Sequence, residues 1–197
     1  MGLDGFMTKQ ADILTEQQFS LCRKVARANK FGLRDEVAIC LGWFSGLWSK
    51  EICSLKINDC FTVTGDVVQM VHLTKAQSKG HSRTFVVNSK LAKILSAYYV
   101  QMDLANKSAN SPLLISNKGN ALSANSTVCV IKKILVDANL AHNRSSHSFR
   151  RSFCTKLITK NGNMFLIRQL MGHASVQTTQ LYFTSNPQSL QEVAELA

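Results

Sequence analysis

The chain has no long apolar run, only two prolines and no pair of cysteines spaced as Cys-x-x-Cys. A membrane-spanning helix needs about 18 or more consecutive apolar residues, so none is predicted. The N-terminal segment MGLDGFMTKQ lacks the apolar core of a signal peptide. The six cysteines are not grouped with histidines at the short spacings of a zinc site. No metal site is therefore predicted, and the cysteines are expected to be reduced thiols, mostly buried, in a cytoplasmic protein.

Acidic residues are also scarce. The 197 residues include 12 Asp and Glu against 23 Lys and Arg, which gives a net charge of +11. Such a surface suits a polyanionic partner, because cations that contact phosphates release bound counterions. Charge alone would equally fit a soluble basic protein without such a partner. The length and the 45% hydrophobic content are typical of one folded domain.

Apolar residues recur at helical spacing through most of the chain. Thr15 and Gln18 form a capping box that opens the first helix. The segment from Asp35 to Leu47 has the apolar spacing of a largely buried helix. The predicted helical spans are 15–24, 35–47, 49–55, 89–104, 124–139, 147–161, 163–171, 175–183 and 187–196.

A strand pattern interrupts the helices in the first half of the chain. Apolar residues alternate on both sides of the turn Thr64-Gly65-Asp66, which predicts a hairpin. A further strand is predicted from Arg83 to Val87. The three strands would form one small antiparallel sheet. The predicted fold class is α+β, mostly helical with a small three-stranded antiparallel sheet.

The most informative residues lie near the C-terminus. His147 and Arg150 are spaced i, i+3 and therefore share one helix face. Gly172-His173 follows, and Tyr182 comes nine residues after that histidine. Each residue alone is more often structural: a histidine on a helix surface, an arginine in solvent or a tyrosine in a core. Their joint spacing in a basic protein favours a functional site.

This spacing, with the segments SSHSFRRSF and LMGHASVQTTQLY, resembles the C-terminal signature of the tyrosine recombinases, the phage integrase family. The resemblance implies a tyrosine recombinase catalytic-domain fold over 14–186, after a flexible tail at 1–13. It also implies a C-terminal helix at 187–197 that docks on a partner subunit; the alternative is a helix that folds back on its own domain. Family members usually carry a second, N-terminal DNA-clamping domain. Residues 1–13 are too short for one, so a single-domain member or a catalytic fragment is expected.

The resemblance assigns catalytic roles by position in the motifs. Tyr182 matches the nucleophile, Arg150 the second catalytic arginine and His147 the histidine beside it. His173 matches a position held by His or Trp, and Lys79 matches the lysine of the β-hairpin. Contacts with DNA are expected from Lys79, Arg83, Arg150 and Arg151.

The first catalytic box departs from the family pattern. Where the family has Gly-x-Arg-x-x-Glu, this chain reads Gly46-Leu47-Trp48-Ser49-Lys50-Glu51. Glu51 matches the glutamate, but Trp48 stands where the first arginine is expected. Arg34 is predicted to be a helix-start residue and not the missing arginine. Lys50 is close enough to substitute in part, although it lies two helical positions on and should point elsewhere.

The resemblance implies a strand-exchange enzyme acting on double-stranded DNA as a homo-oligomer. Tyr182 would form a 3′-phosphotyrosyl bond, a reaction that needs no cofactor, no small-molecule substrate and no membrane. With Trp48 in place of the arginine, this activity is expected to be impaired. One alternative is a non-cleaving DNA-binding accessory protein, or decayed integrase, that keeps the fold. A helix-turn-helix regulator is another, although it would not explain the His-Arg-His-Tyr spacing.

Overall fold

The computed structural model describes residues 11–78, 82–160 and 163–172, which form α-helices, one 3-10 helix and a two-stranded sheet. The helices are α1 Glu16–Ala28, α2 Gly32–Ser45, α3 Ser49–Ser54, α4 Ile57–Cys60, α5 Ser89–Gln101, α6 Ala124–Asp137, α7 Ser146–Thr159 and α8 Met164–Met171. The strands are β1 Met70–Leu73 and β2 Arg83–Val86, and the 3-10 helix is Leu104–Asn106. None of the helices in these described ranges is long and apolar enough to span a membrane.

Side-chain caps fix where the helices begin. Thr15 Oγ1 accepts from the Gln18 N–H at 3.2 Å, and Gln18 Oε1 accepts from the Thr15 N–H at 3.0 Å. This confirms the predicted capping box, although α1 runs to Ala28. At the start of α8 the Asn163 side-chain oxygen accepts from the N–H groups of Phe165 and Leu166, and α8 ends at Gly172 with a positive φ of 62°. Glycine tolerates that left-handed conformation at a helix end better than other residues do.

The core is built around α2, which is buried along almost its whole length. Helices α1, α5, α6 and α7 pack against it. The ring of Trp43 on α2 stacks on Phe19 of α1 at 4.2 Å between centroids. A second, smaller apolar cluster joins α7 to α8 and includes Ile158 and Met171. The α7 helix therefore has the main core on one side and α8 on another.

The sheet has two strands where three were predicted. Strands β1 and β2 pair antiparallel, with Met70 opposite Val86 and Leu73 opposite Arg83. The segment around the predicted hairpin turn forms only one β-bridge, between Phe61 and Val67. The three-stranded prediction is therefore wrong for the described residues. The reason is local. Residues 62–66, between the bridge partners, form hydrogen bonds within one tight turn, so the strand pairing does not extend beyond the single bridge.

Helix positions were otherwise predicted to within a few residues. The short helix α4 and the 3-10 helix were missed, because neither is long enough to show a period of 3.6 residues. The predicted helices at 175–183 and 187–196 lie outside the described residues. Cysteine burial is confirmed at four positions, Cys22, Cys40, Cys60 and Cys154, whereas Cys53 is half-buried and Cys129 is exposed.

The structure describes only residues 11–13 of the predicted N-terminal tail. The Asp12 N–H donates to the Asn143 carbonyl at 2.8 Å, and the Ala11 carbonyl accepts from Arg151 Nη1 at 2.7 Å. The next residue, Leu14, donates its N–H to Ser152 Oγ at 2.7 Å and is buried. These residues are thus hydrogen-bonded to α7 and to the loop before it.

Candidate active site

The N-terminal half of α7 carries two of the motif residues, His147 and Arg150. Ser145 caps the helix, and His147 lies in its first turn with an exposed side chain. Arg150 follows one turn later and is 3% exposed. Between them Phe149 is buried in the core, which fixes the rotation of the helix. His147 and Arg150 therefore face the same neighbour.

That neighbour is Trp48, between the end of α2 and the start of α3. Its ring meets the ring of His147 edge-on, with centroids 4.8 Å apart. The same indole lies 4.5 Å from Cζ of Arg150, within cation–π distance. The structure thus brings Trp48, His147 and Arg150 together, at the place where the sequence motif expects a guanidinium.

Arg150 also joins three parts of the chain. Its Nη1 donates to the carbonyl of Gly46, at the C-terminal end of α2. Its Nη2 donates to the carbonyl of Met171, at the C-terminal end of α8, at 2.5 Å. Carbonyls at helix ends have no partner within the helix and carry partial negative charge, so a guanidinium is well suited to them.

A second buried arginine reaches the same end of α8. Arg83 on β2 donates from Nε and Nη2 to the two carboxylate oxygens of Glu51, at 2.8 and 2.6 Å. Its Nη1 donates to the carbonyl of Leu170 at 2.6 Å. Glu51 Oε2 in turn accepts from the backbone N–H of Trp48 at 2.8 Å. Both charged side chains are almost fully buried.

This pairing was not predicted from the sequence, where Arg83 was expected to contact DNA. Arg83 and Glu51 are separated by more than 30 positions, and no local pattern indicates which cation will meet a given carboxylate. Arg151, the other predicted DNA contact next to Arg150, donates to the Ala11 carbonyl. It points elsewhere because adjacent helical residues do not share a face.

Two other cations near the first catalytic box in sequence, Lys50 and Arg34, have partners of their own. Lys50 Nζ donates to the carbonyl of Ser78 at 3.0 Å. Arg34 lies in the first turn of α2, as predicted, where it pairs with Asp35 at 2.7 Å and donates to the Ile115 carbonyl. The Lys50 ammonium thus lies at Ser78, and the Arg34 guanidinium lies at the start of α2.

Three of the predicted catalytic residues, Lys79, His173 and Tyr182, lie outside the described residues, as does the predicted C-terminal helix at 187–197. Ser78 and Gly172, the residues directly before Lys79 and His173, belong to the described part. Ser78 is buried, and Gly172 lies against the side chain of Arg83.

Among the described residues, the site shows neither the ligand cluster of a metal centre nor a reactive thiol. Within 11–78, 82–160 and 163–172 there is no cluster of three or more His, Cys, Asp or Glu side chains that could hold a metal ion. Cys154 is the cysteine nearest to Arg150 in sequence. Burial raises the pKa of its thiol to about 11, although Arg150 acts in the opposite direction. A thiol with that pKa is a poor nucleophile near neutral pH.

The comparisons with known proteins agree with the motif. The family model described as the phage integrase family matches residues 12–189. Tyrosine recombinase XerD of Corynebacterium glutamicum is 29% identical over 168 residues, which cover 84% of this chain and 53% of that protein. Tyrosine recombinase XerH of Helicobacter pylori is 27% identical over 184 residues, which cover 88% of this chain and 47% of that protein. This chain therefore spans about half the length of these relatives.

Solved structures show the same fold. The crystal structure of XerA recombinase matches with a TM-score of 0.75 at 22% identity, over 95% of this chain and 65% of that one. The XerH site-specific recombinase in a post-cleavage complex with palindromic difH substrate matches with a TM-score of 0.70 at 23% identity. That match covers 93% of this chain and 52% of the XerH chain. The predicted helical fold with a small antiparallel sheet is thus confirmed.

Proposed function

This chain belongs to the phage integrase family, the tyrosine recombinases, and we propose that it is the catalytic part of a site-specific DNA recombinase. Tyr182 is the proposed nucleophile, and double-stranded DNA is the proposed substrate. The observation that carries the proposal is the side-by-side placement of His147 and Arg150 on α7, against the residue that occupies the first-arginine position.

In the proposed reaction the Tyr182 oxygen attacks a backbone phosphorus and forms a 3′-phosphotyrosyl bond, while the P–O5′ bond breaks. The phenol has an ordinary pKa of about 10, so a base such as His147 or His173 accepts its proton. Lys79 gives a proton to the departing 5′ oxygen. The guanidinium of Arg150 stabilises the negative charge on the non-bridging oxygens. One phosphoester replaces another, so neither a nucleotide cofactor nor a metal ion is needed.

Trp48 favours a second candidate function, that of a DNA-binding accessory protein that keeps the fold but does not cleave DNA. Indole offers one neutral N–H donor, whereas guanidinium offers a positive charge and a fork of donors. Here the indole also lies over the guanidinium of Arg150. The phosphate would therefore have to compete with a cation–π contact for the arginine that remains. We expect the natural protein to bind DNA and to cleave it slowly or not at all.

The function is tested by trapping the covalent intermediate. The probe is a pool of DNA duplexes in which randomised sequence surrounds a 5′-bridging phosphorothiolate, whose thiol leaving group does not religate. Trp48→Arg protein is mixed with this pool, and DNA that stays attached in detergent is isolated and sequenced. Mass spectrometry of the digested adduct then identifies the linked residue. The proposal expects a nucleotide on Tyr182.

Tyr182→Phe in the Trp48→Arg background is the matched control, because it removes one oxygen and keeps the ring. It should bind the pool equally well and give no adduct. An adduct on another residue would contradict the assignment of Tyr182. Retention of DNA without any adduct, by both the natural and the Trp48→Arg protein, would favour the accessory function.

The proposed recombinase acts as a homo-oligomer on DNA, with the C-terminal segment joining neighbouring subunits. The segment 188–197 carries Leu190, Val193, Ala194 and Leu196 at helical spacing, which would give an apolar stripe. In this proposal the apolar stripe joins the subunits on DNA, and Tyr182 of each subunit carries out the chemistry.

A further inference from the structure

Glu51 and Arg83 form a buried ion pair within 3 Å of backbone groups from two other segments of the site. Glu51 accepts a hydrogen bond from the N–H of Trp48, and Arg83 donates one to the carbonyl of Leu170. The pair thus connects the start of α3, the strand β2 and the end of α8. Its two members come from elements that no local sequence pattern joins.

The end of α8 is held by two guanidiniums at once. Arg83 donates to the carbonyl of Leu170, and Arg150 donates to the next carbonyl, that of Met171. Because these carbonyls form the negative end of the helix dipole, two cations there fix both the position and the rotation of the last turn. The residue that follows this turn and Gly172 is His173.

The stem of Arg83 fits closely against Gly172. A Cβ atom at residue 172 would lie 2.3 Å from Cδ of Arg83, a distance at which one of the two must move. Arg83 cannot move at low cost, since three of its nitrogens are bonded to Glu51 and Leu170. The Arg83 side chain is therefore fixed inside the domain, with 8% of the residue's surface exposed.

We propose that Glu51 and Arg83 are positioning residues, which set the first-arginine position and the end of α8 relative to Arg150, and that Arg83 is not a DNA contact. The proposal rests on the proposed function for its effect on rate. Its structural part, that the pair holds the end of α8, stands independently of DNA chemistry.

The test variant is Glu51→Gln with Arg83→Met. Gln keeps an oxygen for the Trp48 N–H, and removing both charges avoids leaving one of them buried and unpaired, as a single substitution would. The matched control is Asp35→Asn with Arg34→Met. That pair is similarly buried, with two guanidinium nitrogens on one oxygen of the carboxylate and a third on a backbone carbonyl. It lies at the start of α2, and its backbone partner is the Ile115 carbonyl, not a carbonyl of α8.

Both doubles are made in the Trp48→Arg protein, and single-turnover adduct formation is measured on a duplex selected from the phosphorothiolate pool. The proposal expects the Glu51–Arg83 double to slow adduct formation on the order of 10- to 100-fold, with unchanged DNA affinity, because small misplacements of catalytic groups have effects of that size. The control double should leave the rate unchanged at a similar loss of Tm. If both double variants slow adduct formation equally, the Glu51–Arg83 pair only stabilises the fold and the positioning role is wrong.

Two further readouts decide the proposal whatever the cleavage result. The Glu51–Arg83 double should leave the salt dependence of duplex binding unchanged, whereas a lost phosphate contact would reduce its slope by about one. Hydrogen–deuterium exchange of residues 168–172 should be faster in the Glu51–Arg83 double and unchanged in the control. Unchanged exchange there would overturn the positioning role, and complete absence of adduct in every variant would instead count against the proposed function.

Discussion

The indole of Trp48 lies between two residues of the catalytic motif, edge-on to His147 and 4.5 Å from the guanidinium carbon of Arg150. A cation–π contact of this kind contributes about 0.5 to 2 kcal/mol, depending on how far the pair is shielded from water. The contact holds Arg150 in place but supplies no charge to a phosphate. At the residue scale, therefore, Trp48 contacts His147 and Arg150 but supplies none of the charge expected at its position.

The residue-scale prediction from sequence was best where spacing alone decided the outcome. His147 and Arg150 share a face because they are one helical turn apart, and Trp48 follows the end of the buried helix α2 as the motif requires. The role of Arg83 could not be predicted in this way. Its partners, Glu51 and the Leu170 carbonyl, are distant in sequence and meet only through the packing of β2, α3 and α8.

The contact between Gly172 and Arg83 gives a stability prediction. Gly172→Ala adds a Cβ at a φ of 62° and 2.3 Å from Cδ of Arg83. We expect a loss of about 2 to 4 kcal/mol in the free energy of unfolding, from backbone strain together with displacement of the ion pair. Gly119→Ala is the control, since Gly119 has a φ of 78° and nothing within 4 Å of the added Cβ. Equal losses in urea denaturation of the two variants would show that Arg83 is not displaced.

At the scale of elements, the periodicity of apolar residues predicted the long helices correctly but predicted one strand too many for the sheet. The long helices show several turns of apolar spacing, whereas α4 has only four residues. The extra strand was predicted because Phe61 and Val67 are apolar and flank a turn. In the structure both side chains pack against the core from a single bridge. A strand needs a neighbour with free backbone groups, and that condition cannot be read from one segment.

The packing of α7 on α2 gives a prediction of pH dependence. Lys156 places its ammonium 3.5 Å from the ring centroid of Trp43 and 3.5 Å from a carboxylate oxygen of Glu16. Burial lowers the pKa of Lys156 from 10.5 to about 8, although Glu16 raises it in part. Between these two pH values the unfolded chain binds more protons than the folded one, so stability rises with pH.

The measurement is urea denaturation of the natural protein and of Lys156→Met across that range. Relative to the variant, the natural protein should gain on the order of 1 to 2 kcal/mol as the pH rises from about 8 to about 10.5, a partial gain because the side chain stays partly in water. Glu16→Gln should move the start of this rise to lower pH, because Glu16 raises the pKa of Lys156. A constant difference over the range would contradict the assigned pKa.

At the scale of the whole molecule, the net charge of +11 should govern DNA binding. A few neutralised phosphates make the affinity fall on the order of 100-fold between about 50 and 200 mM salt. Fluorescence anisotropy of a labelled duplex at several salt concentrations measures this slope. An affinity that does not change with ionic strength would exclude phosphate-dominated binding.

The C-terminal segment is also tested on the whole molecule. Deleting Gln188–Ala197 should leave the binding of one protein to DNA intact and abolish higher complexes in native gels. A second variant, Leu190→Ser with Val193→Ser, removes the two largest N-terminal residues of the apolar stripe without shortening the chain. A lower Tm with unchanged assembly would show that the segment folds back on its own domain instead.

The most direct test of the account compares the natural protein with Trp48→Arg in single-turnover adduct formation on the selected phosphorothiolate duplex. Restoring the guanidinium should raise the rate on the order of 100- to 1000-fold, the usual effect of one electrostatic contact to the transition state. Duplex affinity should change little, and Tyr182→Phe should abolish the product in both backgrounds. Equal rates for the natural protein and Trp48→Arg would contradict the assignment of position 48 as the missing arginine.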